Sequence, residues 1–235
     1  RDSDEADRLL ALGFAEELSR LMALLPGDCQ RLLLSATFPA KVQALARQYL
    51  HEPTTINLNA GASPAAEVIE QRVIEVDAGQ RTQLLQWLIE QHEWPQVLVF
   101  VASRATADEV AMTLARAGIR AAPLHGELSQ SVREEVLSRF KARRSQVLVA
   151  TDLASRGLDI ALLPVVVNYD LPRSPTDYVH RIGRTGRAGE SGLAVSFVSA
   201  DTAAHFRLIE RRHGLNLARE QIAGFEPREL HATPR

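Results

Sequence analysis

The chain has one cysteine, Cys29, so it can build neither an internal disulfide framework nor a cysteine-based zinc site, and a reducing, cytoplasmic setting is the natural expectation. Its seven histidines include no HExxH and no close pair suited to a metal. No apolar run approaches the about 18 residues of a membrane span, and no signal peptide is visible. Lysine is nearly missing too: Lys41 and Lys141 stand alone among arginines. With a formal net charge of -2 there is no global basic field, so any nucleic-acid binding has to come from a local patch. Neither lysine lies in a Gly-x-x-x-x-Gly-Lys-Ser/Thr string, since Lys41 follows Ala40 and Lys141 follows Phe140, so the loop that cradles nucleotide phosphates is not in these residues.

What is there is an ordinary globular composition, 46% hydrophobic and 24% charged over 235 residues, enough for one large domain or two small ones. Residues 59–66, Asn-Ala-Gly-Ala-Ser-Pro-Ala-Ala, break all periodicity and read as a linker. Before it, an amphipathic helical pattern runs through Leu9, Leu10, Leu12, Phe14, Leu18 and Leu21. Arg31 to Leu34 reads as a buried parallel strand, Val42 to Leu50 as a helix and Thr54 to Leu58 as a short strand.

After the linker, strands and helices alternate. Val68–Val76, Val97–Val101, Ile119–Pro123, Gln146–Ala150, Val165–Tyr169 and Leu193–Val198 read as strands. Arg81–Gln91, Thr106–Arg116 and Ser129–Phe140 read as helices between them, and Asp201 caps a last helix that stops at Gly214. That alternation predicts an α/β fold, a parallel sheet with helices on both faces, whose ligands collect at the strands' carboxyl ends.

Asp177 to Gly189 reads Asp-Tyr-Val-His-Arg-Ile-Gly-Arg-Thr-Gly-Arg-Ala-Gly. Arg181, Arg184 and Arg187 recur every three residues with glycines between, so several planar guanidinium groups sit on backbone able to turn tightly. Such groups match phosphate oxygens bidentately. The plainer alternative is a solvated Arg-rich turn. Asp4-Glu5-Ala6-Asp7 is, taken alone, an acidic helix cap. Ser35-Ala36-Thr37 is a strand end leading into a helix, and Thr151-Asp152 a further cap.

The string His180 to Arg187 resembles the arginine-finger motif of the DEAD-box RNA helicases, and the other strings fall in that family's order. The resemblance implies RecA-like domains, ATP and Mg2+ as cofactors, and RNA, single-stranded or in a short duplex, as partner. It implies that Asp4 holds magnesium through water and Glu5 polarises the attacking water. Asp7, Ser35, Thr37, His180 and Arg181 would couple the domains. Gly157 and Asp159, within Ala150 to Ile160, would meet the nucleotide, and Arg184 and Arg187 its γ-phosphate. Arg104, Gln130, Arg133, Thr151 and Asp152 would meet the RNA backbone. Ser155 stands where the family more often has alanine. Few aromatics suited to base stacking are evident, so recognition without sequence preference is expected.

By the same resemblance, residues 1–58 are the end of a first RecA-like domain, 59–67 the linker, 68–225 a complete second domain and 226–235 a tail. Only Arg1-Asp2-Ser3 precede Asp4, so the strand expected to carry that motif is absent, and the chain, which begins at Arg1, is expected to be inactive alone. Residues 222–227, Ile-Ala-Gly-Phe-Glu-Pro, are similar to the close of the RhlE subgroup of bacterial DEAD-box helicases. The implied activity is RNA-stimulated ATP hydrolysis that unwinds short RNA duplexes, with ribosome-assembly or RNA-decay proteins as partners and no membrane. Two other readings stay open: a non-catalytic RecA-like module that binds RNA or protein, and a DNA-directed relative.

Overall fold

A computed structural model describes residues 2–3, 13–26, 29–35, 38, 40–56, 69–155, 160, 163–186 and 191–228. The chain divides into two compact units, Arg1–Ala60 and Gly61–Arg235. The expected linker lies outside the described residues. Among the described residues, no helix is long and apolar enough to cross a membrane.

The first unit contains β1 (Asp2–Ser3), α1 (Ala15–Ala23), β2 (Leu32–Leu33) and α2 (Ala40–Tyr49). β1 runs parallel to β2, with Asp2 opposite Leu32, so a strand does lead towards Asp4, contrary to expectation. Leu18, Val42 and Leu45 form the buried cluster, flanked by Met22, Leu33 and Tyr49. The strand expected to be buried at 31–34 is largely open, with Leu32 47% and Leu34 50% exposed, because β1 and α2 leave much of its surface uncovered. Thr54 to Ile56 form no strand, and Asn57 and Leu58 lie outside the described residues.

The second unit is a parallel sheet of seven strands. Its elements are β3 (Ile69–Glu75), α3 (Arg81–His92), β4 (Val97–Val101), α4 (Arg104–Arg116), β5 (Ala121–Leu124), α5 (Gln130–Lys141), β6 (Val147–Thr151), α6 (Asp152–Ser155), β7 (Val165–Asn168), α7 (Pro175–Ile182), β8 (Gly192–Val198), α8 (Ala203–His213) and β9 (Arg219–Glu220). Spatial order is β5-β6-β4-β7-β8-β3-β9. The middle strands are continuous apolar runs, as a sheet covered on both faces requires.

The strand period of two divides those runs between two layers. Val97, Val99 and Val101 pack with Leu84, Leu85 and Leu88 of α3 and Val110 and Leu114 of α4. Leu98 and Phe100 point the other way, with Phe140 of α5. Val73, Ala194 and Val198 meet Tyr178 and Ile182 of α7 and Phe206 and Ile209 of α8 on that second face. The Tyr178 phenol is pushed up to about 12 by burial, so it stays neutral and donates to Gln71 Oε1 at 2.9 Å.

Helix ends follow their local chemistry. Ser103, Ser129 and Ser174 accept the amides of Thr106, Val132 and Asp177. Gly214 closes α8 at φ 65, a left-handed position that glycine takes without a Cβ clash. Asp201 does not cap α8: its carboxylate accepts from Ser199 Oγ at 2.6 Å, and Thr202 occupies the cap position. β5 begins two residues later than expected because the Ile119 amide is held back at Leu114 O, 3.0 Å away, in the α4 terminus.

Candidate phosphate and RNA interface

The polar residues at the carboxyl ends of β4, β6, β7 and β8 form one buried network. Arg181, 2% exposed, grips Asp152 bidentately, with Nε to Oδ1 and Nη2 to Oδ2 both at 2.7 Å. Its Nη1 donates to the Asp170 carbonyl at 2.6 Å and to Asn168 Oδ1 at 3.2 Å, while its guanidinium lies 4.8 Å from the centre of the Phe100 ring. Asp170 in turn accepts the Ala102 amide at 2.8 Å and Arg81 Nη1 at 2.9 Å, and Arg81 Nη2 donates to Ser199 Oγ at 2.6 Å. Two arginines and two aspartates thus alternate under the loops, each charge facing an opposite one.

That arrangement adds a structural role to two candidate residues. Asp152, expected at RNA, and Arg181, expected to reach across to another domain, hold each other within the second unit. Together they fix α6 to α7, and through Asp170 they fix the turn after β4 that carries Arg104. Asn168, Asp170 and Arg81 were not candidates on sequence, although Asn168-Tyr169-Asp170 at the end of an all-valine strand was a polar signal.

α7 delivers the arginine string. Pro175 sits in its first turn, where no amide partner is needed, and Ser174 caps it. Beyond Ile182 the chain is held by backbone: Arg184 O accepts the Leu163 amide at 3.1 Å, and Thr185, fully buried, donates its hydroxyl to Leu163 O. Arg184 is half-exposed on that fixed backbone.

Gly192 makes this close packing feasible. A Cβ built there would overlap Thr185 Oγ1 and the Gly186 nitrogen and lie 2.9 Å from the Gly186 Cα. Gly192→Ala is therefore expected to shift the Thr185 and Gly186 backbone and lower the melting temperature of the second unit by several degrees. A melting temperature equal to that of the unaltered chain would contradict this.

The remaining RNA candidates gather at neighbouring strand ends. Arg104 opens α4 and pairs with Glu127, both well exposed. Gln130, at the first turn of α5, donates to Glu134 Oε1 at 2.7 Å, and Arg133 follows one turn on, half-buried. Thr151 ends β6, also half-buried. His125, 4% exposed, ties the β5 end to α4 through Asp108, 3.1 Å from its Nε2. Ser35 and His180 are half-buried in the first and second unit respectively. Asp4, Glu5, Asp7, Thr37, Gly157, Asp159 and Arg187 lie outside the described residues. Among the described residues, no cluster of His, Cys, Asp and Glu could hold a metal ion.

Residues 80–189 match the helicase conserved C-terminal domain. The chain is 38% identical to the ATP-dependent RNA helicase CshA of Listeria monocytogenes over 88% of its own length and 40% of that protein's. It is 41% identical to the ATP-dependent RNA helicase DBP2 of Eremothecium gossypii, over 83% of this chain and 35% of the relative. It thus spans less than half the length of these relatives. Among solved structures it is similar to Dbp5 of S. cerevisiae bound to RNA and ADP BeF3, with TM-score 0.82, 32% identity, and coverage of 94% of this chain and 59% of that one. The second unit accordingly has the RecA-like fold of DEAD-box helicase structures. The E. coli DEAD-box protein SrmB, bound to the regulator of ribonuclease activity A, aligns with TM-score 0.66 and 36% identity over 71% of this chain and 98% of its own. With that identity over nearly all of the SrmB chain, and with the helicase domain matched, this chain belongs to the DEAD-box RNA helicase family.

Proposed function

We propose that this chain works as the second-domain part of an ATP-dependent RNA helicase that couples RNA-stimulated ATP hydrolysis to the opening of short duplexes. The observation that carries this reading is the network through Asp152, Arg181 and Asp170. It locks the turn bearing Arg104, the strand end bearing Thr151 and the helix delivering Arg184 into one rigid body. A shift in the phosphate-facing arginine is thereby tied to the RNA-facing turns. The Dbp5 structure with RNA and ADP BeF3 supports the same pairing of ligands here.

The residues present suit an anionic nucleotide: Arg184 stands on backbone braced by Leu163 and Gly192, and its charge is permanent. Bound ATP would supply the anhydride to be cleaved, and Mg2+, held through water by Asp4, would neutralise its phosphates. Arg184 and Arg187 place positive charge where the γ-phosphate oxygens develop theirs, while Glu5 orients the attacking water. Gly157 and Asp159 hold the nucleotide, and Asp7, Ser35, Thr37 and His180 join the domains. Arg104, Gln130, Arg133 and Thr151 bind the sugar-phosphate backbone, so RNA is read without base preference. A cytoplasmic location follows from the same role. The partners are ribosome-assembly or RNA-decay proteins. The likeness of residues 222–227 to the RhlE close supports an RhlE-like reading, and Phe225 packs that segment against Trp87, 6.1 Å between ring centres.

Glu127 occupies Arg104, so an incoming phosphate has to displace it. Exposed pairs of this kind are worth about 0–1 kcal/mol. Glu127→Gln is expected to tighten binding of a 10-nucleotide polyuridine to this chain two- to fivefold by fluorescence anisotropy, and Arg104→Gln to weaken it. No change in either variant would remove Arg104 from the RNA site and favour a module that binds protein.

A further inference from the structure

A second cationic surface runs along α5 from beside Arg133 to the amino end of β6. α5 runs from the carboxyl end of β5 down to the amino end of β6, so its 12 residues cover about 18 Å between the two ends. Along it, from Val132 to Arg139, a groove of about 480 Å³ opens between α5, the tip of α4 and the edge strand β5. Its floor is small, with Ala115, Gly118, Ala121 and Ala122, and Val132 and Val136 form one wall.

The rim is arginine. Arg120 and Arg139 line the groove, and Arg116, Arg143 and Arg144 adjoin it in sequence. Backbone bonds hold these segments together: Arg120 O accepts the amides of Gln146 and Val147 at 2.8 and 3.1 Å, and Arg139 O accepts those of Arg144 and Ser145 at 2.8 and 3.2 Å. The one acidic residue in the lining, Glu135, approaches Arg139 only to 3.7 Å. Among the described residues, no carboxylate pairs with Arg116, Arg120, Arg143 or Arg144.

Helix dipoles account for part of this. One cation in the last turn of α4 and another in the last turn of α5 stabilise those ends, which suits Arg116 and Arg139. Arg120, Arg143 and Arg144 lie past the helix ends. Arg143 has φ 57, a left-handed position that follows a helix and ordinarily takes glycine. An arginine there adds a cation to the rim at a position whose backbone alone would favour glycine.

We propose that this groove binds the backbone of the RNA strand beyond the segment held at the carboxyl ends of the sheet. The proposal rests on the RNA reading above and extends it to a separate site. A phosphodiester chain fits the observations because Gln130 and Arg133 stand at the top of the same helix whose foot carries Arg139. A strand leaving the first site can follow α5 for a few nucleotides and meet Arg120, Arg139 and Arg144. The shallow alanine floor offers no aromatic platform for a base and leaves room for sugar and phosphate.

The test is anisotropy on this chain with 10- and 20-nucleotide polyuridine. Arg120→Gln/Arg139→Gln/Arg144→Gln is expected to leave 10-mer affinity within twofold, weaken the 20-mer about tenfold, and flatten its logarithmic salt dependence by about 2. Arg143→Gly is expected to unfold no earlier than wild type and still to lose 20-mer affinity, a combination a structural role cannot give. An unchanged 20-mer affinity, or equal weakening at both lengths, would overturn the proposal. So would displacement of the 20-mer from the groove by polyglutamate at equal charge concentration, which would assign the face to an acidic protein. Arg104→Gln/Arg133→Gln probes the first site separately: an undiminished 10-mer affinity there sinks the RNA reading of the strand ends, while the groove is still judged by the 20-mer.

Discussion

Replacing Arg184 by alanine in the intact protein is expected to lower RNA-stimulated ATP hydrolysis about 10³- to 10⁵-fold, the range that arginine fingers supply in phosphoryl transfer. The loss should appear in kcat, because charge on the γ-phosphate oxygens is felt most as the transferring group separates. RNA affinity and melting temperature should stay near wild type, since Arg184 is half-exposed and the turn is held by Thr185 and Leu163 backbone contacts that the substitution leaves in place. Arg184→Lys should restore little, because a point charge does not reproduce the planar fork. Turnover within threefold of wild type in Arg184→Ala would take this residue out of the nucleotide site.

The second large effect is on stability. Arg181 is 2% exposed and Asp152 27%, so removing the carboxylate leaves a cation buried with only neutral acceptors. Breaking one partner of a buried pair costs about 3–5 kcal/mol, and the partial exposure of Asp152 argues for the lower part of that range. Asp152→Ala should therefore lower the melting temperature of the second unit by roughly 10 °C. Asp152→Ala/Arg181→Met should recover at least half of it, because no uncompensated charge remains. The aliphatic chain can keep its packing on Phe100. A double variant less stable than Asp152→Ala would show that the Asn168 and Asp170 bonds of Arg181, not its pairing with Asp152, carry the stability.

The architecture of the second unit was legible where burial alone decides conformation. Val97 to Val101 is an inner strand of the sheet with all five side chains buried, so a run of apolar β-formers could mean little else. Gly214 marks a helix end for a local reason that sequence exposes directly, whereas the caps Ser103 and Ser129 were not read as such. Legibility failed where the outcome depends on partners distant in sequence. Thr54 to Ile56 have strand-like composition, yet β2 pairs with β1 instead. Arg181 meets Asp152 across 29 positions and Arg81 meets Asp170 across 89, separations with no periodicity to betray them. Gly192 looked like an ordinary residue before a strand. Only the chain folding back at Thr185 and Gly186 shows that a methyl group has no room.

The arginine string was recognisable as a set of anion-binding groups, and only the family resemblance, not the spacing, divided it. Spacing treats Arg181 and Arg184 alike, whereas α7 turns the first into the sheet and the helix end presents the second towards solvent. The first braces the second unit, and the second is the one proposed for the nucleotide. A similar division applies to the basic residues overall: a net charge of -2 conceals two separate clusters.

The most direct test of the central claim is steady-state ATP hydrolysis, with and without polyuridine, by this chain alone and by the same chain joined to an N-terminal segment carrying a Gly-x-x-x-x-Gly-Lys-Thr loop. The account predicts no turnover from the chain alone, and turnover that rises at least tenfold with RNA in the joined protein. Hydrolysis by the chain alone, or hydrolysis by the joined protein that ignores RNA, would contradict it.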